Sequence, residues 1–432
     1  MWKTLNFVVV LLMAGCAASE PPAGLLGAFA LEDGRTVSIR RSAENSLRYR
    51  IYENGASGRL YATDDGRFVS GAGFAVREPV VLRVNFVTNE HGVAETLEWS
   101  YGDESAMTAT RIGREQDVWI DSGGTQLFGR LHLPDRNTPL GGVVLVHGSG
   151  DDPGTEWLYN GDFFVANGFA VLAYDKRGTG RSQGEFTFDF AQLADDAGAA
   201  AAYLAGRPDI DAQRVGLSGY SQGGWVAPLA ASRHDIVNFV VVSYGMIESP
   251  AEEARLEMRQ LLLDAGVADD ELRQADELIR AAVDVVASEF QEGWPRFKEL
   301  KRRYRSAEWL EYLDGTPVGR MVSYPKWLVG LLGKRQLPSG LDWYYDSTAL
   351  LEQSKVPMAW LLAKQDRSAP NEQTIATLQA LIGRGKPISL TVFSDAEHGM
   401  VMLTKDGETI TYTGYAPGYF QKEVQELQKL TQ

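Results

Sequence analysis

The sequence has 432 residues, of which 44% are hydrophobic and 23% are charged, so it is long enough for about two or three domains with large cores. Its formal net charge of −15 argues against nucleic-acid binding, because contacts with phosphate need a basic surface. The same charge argues against electrostatic docking onto an anionic membrane.

The N-terminus has the pattern of a secretory signal. A charged start, a short apolar run at 7–13 and small residues lead to Cys16. Residues 12–16, Leu-Met-Ala-Gly-Cys, resemble a bacterial lipobox, in which the cysteine is lipidated and becomes the mature N-terminus. Cys16 is the only cysteine in the sequence, which favours this interpretation over a plain signal peptide. We therefore predict a lipid anchor to the cell envelope, on the periplasmic side of the outer membrane because Ala17 follows, and a tether over 17–24.

A small antiparallel β domain is predicted over 25–115. Apolar and polar residues alternate in this stretch, for example at 47–52 and 81–86, and turn sequences such as Asn54-Gly55 separate the runs. The pattern fits a barrel or a sandwich. No catalytic cluster is visible in it, and spacing, oligomer contact and substrate capture all stay open as its role.

A second pattern begins near Asp117 and predicts an α/β domain. After one antiparallel pair, near-continuous apolar runs alternate with helices, which suits a mostly parallel sheet covered by helices on both faces. The runs lie at 142–146, 170–174, 215–217, 237–242, 356–362 and 388–393. We assign the first part of this domain to 116–245, a helical insertion to 246–350 and the second part to 351–432.

The insertion is predicted to be helical because apolar residues recur in it at helical spacing. It has an acidic first part, which includes Glu252, Glu253 and Glu257, and a basic run at 298–305. Charged helix faces are usually solvated, and we expect this of both.

The stretch 219–223, Gly-Tyr-Ser-Gln-Gly, joins a short predicted strand to an apolar helix. It fits the Gly-x-Ser-x-Gly pattern of a nucleophile elbow. A sharp strand-to-helix turn strains the corner residue and projects its side chain, and the flanking glycines avoid clashes with the strand and the helix. The hydroxyl of Ser221 would lie at the positive end of the helix, where developing negative charge is favoured. Ser221 is therefore the candidate nucleophile.

His398 is the candidate base, because a serine hydroxyl is a weak nucleophile until a base removes its proton. Among the five histidines, His398 follows the last apolar strand, where a Ser…Asp…His order places the base. Asp366, in the loop after the preceding strand, is the candidate acid that orients the imidazole. Asp395 and Glu397 compete for this role, but they are too close to His398 in sequence to face its ring easily.

An oxyanion hole needs two backbone N–H groups that point at one position. Gln222, directly after the nucleophile, supplies one of them at the start of the helix. The turn at 147–150, His-Gly-Ser-Gly, supplies the other, and we favour Ser149 over Gly148 as the donor. The sequence contains no spacing such as H-E-x-x-H, and we expect neither a metal ion nor an organic cofactor.

From about Asp117 to its end, the chain resembles the α/β-hydrolase superfamily. The resemblance depends on the motifs at 147–150, 174–182 and 219–224 and on Asp366 and His398. It implies an α/β-hydrolase fold with the insertion as a helical cap over the cleft. The nearest branches are the serine esterases, the serine aminopeptidase-like hydrolases and the bile-acid-CoA acyltransferase/thioesterase group. The β domain lies outside the resemblance, as does the segment 400–413, where an extra hairpin is expected.

Together these features predict a lipid-anchored serine hydrolase that cleaves small acyl esters through an acyl-enzyme intermediate. A peptidase or a thioester hydrolase on the same machinery stays open, as does a non-catalytic binding protein on the same fold. Esters are favoured because a peptidase needs further groups to fix its substrate, and the cap glutamates look like an ordinary solvated helix face.

Overall fold

The computed structural model describes residues 23–42, 46–135, 141–334, 339–406 and 409–432. The predicted signal with Cys16, and most of the predicted tether, lie outside these ranges. Among the helices of the described ranges, none combines the length and the apolar character that a membrane-spanning helix needs.

The N-terminal part is a closed antiparallel barrel. In the described residues its eight strands pair in chain order, and the first strand closes the barrel against the last. Alternate side chains point inward and form a core around Phe29, Tyr49 and Trp99, so of the two predicted arrangements the barrel is the one formed. The strands are β1 (Gly27–Leu31), β2 (Thr36–Ser42), β3 (Ser46–Ile51), β4 (Ser57–Ala62), β5 (Phe68–Gly71), β6 (Val80–Thr88), β7 (Ala94–Tyr101) and β8 (Met107–Ile112).

A mixed sheet of eight described strands follows the barrel, in the spatial order β16-β15-β14-β13-β11-β12-β10-β9. The strands are β9 (Arg114–Ser122), β10 (Thr125–Leu133), β11 (Gly142–Val146), β12 (Ala170–Tyr174), β13 (Val215–Tyr220), β14 (Val240–Ser243), β15 (Met358–Ala363) and β16 (Ile388–Phe393). The first two form the predicted antiparallel pair, and β11 to β16 run parallel to one another.

Helices cover both faces of this sheet. Along β11, Val144 and Val146 belong to the core on one face, whereas Val143 and Leu145 belong to the core on the other. Both faces are apolar, which confirms the predicted α/β architecture. The covering helices are α1 (Tyr159–Ala166), α2 (Phe190–Ala205), α3 (Gly223–Arg233), α9 (Thr348–Gln353), α10 (Glu372–Gly383) and α11 (Tyr419–Leu430).

The insertion is helical and has its own apolar core. Its first helix begins after Ser249, whose Oγ accepts a hydrogen bond from the N–H of Glu252 at 3.3 Å. The helices are α4 (Pro250–Asp264), α5 (Asp269–Ala287), α6 (Trp294–Arg303), α7 (Pro317–Ser323) and α8 (Lys326–Lys334). The prediction that the charged faces are solvated is confirmed for much of the basic run in α6. It is wrong for Glu253 and Glu257, which are buried.

An ionic cluster whose central Arg40–Asp162 pair is buried joins the barrel to the mixed sheet. Arg40 of β2 contacts Asp162 of α1, with Nε 2.9 Å from Oδ2 and Nη2 2.5 Å from Oδ1. Nη2 of Arg40 also lies 2.7 Å from Oε1 of Glu115. Burial raises the pKa of Asp162, but the charge of Arg40 and the hydrogen bonds with Arg40 and His132 together lower it to about 2. The carboxylate is therefore held in its charged form at the junction.

The expected hairpin after His398 is present, as β17 (Val401–Asp406) and β18 (Thr409–Tyr415), and it lies against the barrel. The N–H of Phe74 donates to the carbonyl of Tyr412 at 3.1 Å, and the N–H of Tyr415 donates to the carbonyl of Gly55 at 2.8 Å. The barrel thus contacts the segment that directly follows the candidate base.

Candidate active site

Ser221 occupies the turn between β13 and α3. Its φ of 54° lies in the left-handed region, which residues other than glycine adopt rarely and which marks a strained backbone. A Cβ on Gly219 would lie 2.4 Å from the carbonyl oxygen of Gly223, so only glycine fits there without a shift. The local sequence therefore permits the tight turn that presents the Ser221 hydroxyl at the start of α3.

The structure brings Ser221, His398 and Asp366 together. Nε2 of His398 lies 3.1 Å from Oγ of Ser221, and its Nδ1 lies 2.8 Å from Oδ2 of Asp366. The other carboxylate oxygen of Asp366, Oδ1, accepts hydrogen bonds from the N–H groups of Ser368 at 3.0 Å and Ala369 at 2.7 Å. This arrangement fixes the orientation of the carboxylate, which has a fully buried side chain.

The surroundings of His398 favour its protonated form. Burial lowers the pKa of the imidazole, but the charge of Asp366, the hydrogen bond with it and the charge of Glu253 together raise the pKa, so that the net shift is upward. The ring of Tyr244 meets the imidazole edge-on, with 5.0 Å between the ring centroids. An imidazolium formed here by proton transfer would thus be stabilised.

The two competing carboxylates point away from the imidazole. Oε2 of Glu397 accepts from the backbone N–H groups of Arg367 at 3.1 Å and of His398 at 3.2 Å. Asp395 is exposed and accepts a hydrogen bond from Oγ of Ser394 at 2.8 Å. Glu397 therefore supports the loop, and Asp366 is the carboxylate in contact with the ring.

The turn after β11 approaches the nucleophile closely. A Cβ on Gly148 would lie 3.3 Å from Cβ of Ser221, so a side chain at this position would crowd the serine. Ser149 and Gln222 line the same cleft as Ser221 and His398. Among the described residues, neither the N–H of Ser149 nor that of Gln222 donates a hydrogen bond. Both groups could therefore bind an oxyanion.

Glu253 of α4 is the residue of the cleft that the sequence analysis misjudged. Its side chain lines the cleft with Ser221, Trp225 and His398, and it is only 8% exposed. Burial raises its pKa to about 7, and the charge of Glu257 also raises it. The sequence does contain a signal for this burial. Ala254 and Met258 lie directly beside these glutamates and predict a partly buried helix face. The insertion thus supplies a carboxyl group to the candidate site.

Metal binding has no evident support in the described residues, which contain no group of three or more His, Cys, Asp or Glu side chains able to hold a metal ion. The groups that line the cleft include serine hydroxyls, an imidazole, the carboxyl group of Glu253 and backbone amides. This set is suited to nucleophilic attack with proton transfer.

Comparison with known proteins gives similarities along most of the chain. The model of a family described as "Alpha/beta hydrolase family" matches residues 143–410, more than half of the sequence. Thiohydrolase aneE of Aspergillus aculeatus is 30% identical over 132 residues, which are 30% of this chain and 41% of that protein. Esterase EstD of Thermotoga maritima is 23% identical over 318 residues, which are 72% of this chain and 65% of that protein.

Each of these alignments covers less than two thirds of the relative's own length. Among solved structures, an esterase of Pyrococcus furiosus has a TM-score of 0.42 and 18% identity. That alignment covers 66% of this chain and 84% of the esterase.

Proposed function

This chain belongs to the alpha/beta hydrolase family, and we propose that it is a serine hydrolase that cleaves small acyl esters. The observation that carries the proposal is the continuous contact from Ser221 through His398 to Asp366, with separations of 3.1 and 2.8 Å. A nucleophile, a base and an orienting acid in contact are what acyl transfer to serine needs. The relatives named as an esterase and a thiohydrolase support the same class of reaction.

In the proposed mechanism, Ser221 attacks the acyl carbonyl while His398 takes the proton of the hydroxyl. Asp366 keeps the proton of the imidazole on Nδ1, so that Nε2 faces the serine as an acceptor. The backbone amides of Ser149 and Gln222 stabilise the tetrahedral oxyanion. His398 then returns the proton to the leaving alkoxide, and a water molecule activated by the same base hydrolyses the acyl-enzyme.

The direct test is Ser221→Ala, which we expect to abolish hydrolysis and fluorophosphonate labelling while the protein stays folded. The substitution removes only a hydroxyl that projects into the cleft, so it leaves the packing around the elbow unchanged. Ser218→Ala is a matched control, because Ser218 is a buried serine of β13, the strand that leads into the elbow, and it donates to Tyr220 rather than facing the cleft. Hydrolysis near the wild-type rate in Ser221→Ala would refute the assignment of the nucleophile.

We propose esters rather than amides as the main substrates because an ester makes fewer demands on the site. The amine of an amide leaves only if it is protonated as the intermediate collapses, and amide resonance stabilises the ground state. A peptidase therefore needs additional groups that fix the substrate. For an ester, the triad, the oxyanion hole and an apolar wall that includes Trp225 are sufficient.

The burial of Glu253 in the cleft favours a second candidate, a substrate that carries a cationic group near the scissile bond, such as an aminoacyl amide. A carboxylate removed from water is stabilised by a cation that enters the same cleft. The test compares kcat/KM for a nitrophenyl acyl ester and an aminoacyl nitroanilide in the wild type, in Glu253→Gln and in the control Glu252→Gln. Glu252 lies on the same helix but pairs with Arg255.

We expect the ester to be the better substrate in all three proteins. Turnover of the anilide that equals or exceeds that of the ester, and that is lost in Glu253→Gln alone, would instead establish the peptidase.

A further inference from the structure

Lys176 lies directly behind the proposed oxyanion hole. It follows β12 and is only 3% exposed. Its Nζ lies 2.5 Å from the carbonyl oxygen of Gly148, 3.1 Å from Oε1 of Gln222 and 3.4 Å from the carbonyl oxygen of Gly150. All three acceptors are neutral, although a buried ammonium group is normally paired with a carboxylate. The position of this amine therefore needs an explanation other than charge pairing.

We propose that Lys176 is a positioning residue that orients both donors of the oxyanion hole and strengthens one of them, the Ser149 amide. The proposal rests on the serine-hydrolase function proposed above. It concerns a side chain that touches neither the nucleophile nor the acyl group, and that acts through two other residues.

The first of these residues is Ser149. The carbonyl of Gly148 and the N–H of Ser149 belong to the same peptide unit, which is planar. A hydrogen bond from Nζ to that carbonyl therefore fixes the direction in which the Ser149 N–H points. It also polarises the peptide, and hydrogen bonds in such a chain strengthen one another. Lys176 thus makes the Ser149 amide a better donor to an oxyanion.

The second residue is Gln222, whose backbone N–H is the other proposed donor. Its side chain is 2% exposed and forms no hydrogen bond that caps α3. Among the described residues, Nε2 of Gln222 has no hydrogen-bond partner. The contact from Lys176 to Oε1 is therefore what holds the side-chain amide of Gln222 in place. One amine therefore links the turn after β11 to the start of α3, the two segments that must converge on the oxyanion.

The titration of Lys176 does not remove these contacts. Burial lowers its pKa to about 7, because a charged amine is poorly solvated there, while the charge of Asp151 opposes the shift. A neutral amine still has N–H groups that can donate to the carbonyl of Gly148 and to Oε1 of Gln222. Positioning by hydrogen bonds therefore persists on both sides of this pKa.

The test is Lys176→Met, which keeps the length of the side chain and removes its donors. We expect kcat to fall by about 10- to 100-fold with little change in KM, because an oxyanion forms in the transition state and not in the bound substrate. The affinity for a trifluoromethyl ketone, whose serine adduct carries an oxyanion, should fall by a similar factor. Lys422→Met is the matched control, since Lys422 lies on α11 and pairs with Glu426.

Lys176→Gln serves as a second variant, because its amide can still donate to one of the two acceptors. We expect a smaller loss of kcat and of ketone affinity than in Lys176→Met, and this loss decides the question if the methionine variant does not fold. Unchanged kcat and ketone affinity in a folded variant would overturn the proposal, as would an increase in KM alone.

The same measurements separate this proposal from the function on which it depends. If the wild type is labelled at Ser221 and Ser221→Ala is inactive, a wild-type-like Lys176→Met overturns the role of Lys176 alone. If wild-type Ser221 is not labelled at all, both proposals are overturned.

Discussion

The Asp366→Asn substitution tests the proposed triad sharply, because the structure determines how the new amide must sit. Oδ1 of Asp366 accepts two backbone N–H groups, from Ser368 and Ala369. The carbonyl oxygen of the asparagine has to take this place, since an NH₂ group there would leave two buried donors unpaired, at about 1–3 kcal/mol each. The NH₂ group is thereby directed at Nδ1 of His398. The imidazole must then carry its proton on Nε2. A protonated Nε2 can no longer accept the proton of the Ser221 hydroxyl.

We expect kcat to fall by about 10⁴-fold, the size of the effect in a serine protease triad, which corresponds to about 5 kcal/mol of transition-state stabilisation. The pH dependence should change as well. The charge of Asp366 raises the pKa of His398 against the effect of burial, so its removal lowers that pKa. Because the base must be neutral to act, the acidic limb of the activity profile should shift to lower pH.

The assay is the pH profile of kcat/KM on a nitrophenyl ester, together with a melting temperature to show that the variant is folded. Asp395→Asn is the matched control, since Asp395 lies three residues before the base but is exposed and faces Ser394. A loss below about tenfold in Asp366→Asn, or an equal loss in Asp395→Asn, would show that the acid was wrongly assigned.

Four further predictions concern the junction, the turn and the N-terminus. Asp162→Asn should lower the free energy of unfolding by about 3 kcal/mol in denaturant titrations, because buried Arg40 loses its buried carboxylate partner and keeps the more exposed carboxylate of Glu115. In the wild type, the lowered pKa of Asp162 means that about 2 kcal/mol of stability is present above pH 3.8 and is lost as the pH falls through about 2, which acid unfolding would detect. Gly148→Ala should lower kcat by about tenfold with an unchanged melting temperature, since its Cβ would press on Ser221 at 3.3 Å. Cys16→Ser should release the protein from membranes in fractionated cells, and mass spectrometry that finds Cys16 unmodified would contradict the proposed anchor.

The elbow and the order of the strands could be predicted because their signals are local. The glycines around Ser221 are required by contacts within a few residues, and the apolar runs of a parallel sheet are continuous in the sequence. His398 and Asp366 followed from the sheet, since the carboxyl ends of its parallel strands lie at one edge. The barrel was foreseen only as one of two arrangements, because alternation of apolar residues does not say whether a sheet closes.

The rest depends on contacts between segments far apart in the chain. Glu253 was expected in solvent because its own helix carries many charges, yet the packing of α4 over the cleft buries it. The sequence does not indicate the role of Lys176, since its partners Gly148 and Gln222 are 28 and 46 residues away. The ion pair of Arg40 with Asp162 spans 122 residues and has no local pattern.

The contact between the barrel and the hairpin after His398 affects how the protein loses activity. The hairpin is hydrogen-bonded to the barrel at Phe74 and Gly55, so the segment next to the base is tethered to a different folding unit from the one that carries Ser221. Heat or denaturant that opens the barrel first would free this tether while the central sheet is still intact. Inactivation would then follow the melting of the barrel, and a chain without its N-terminal strands would keep the elbow but lose the alignment of its base.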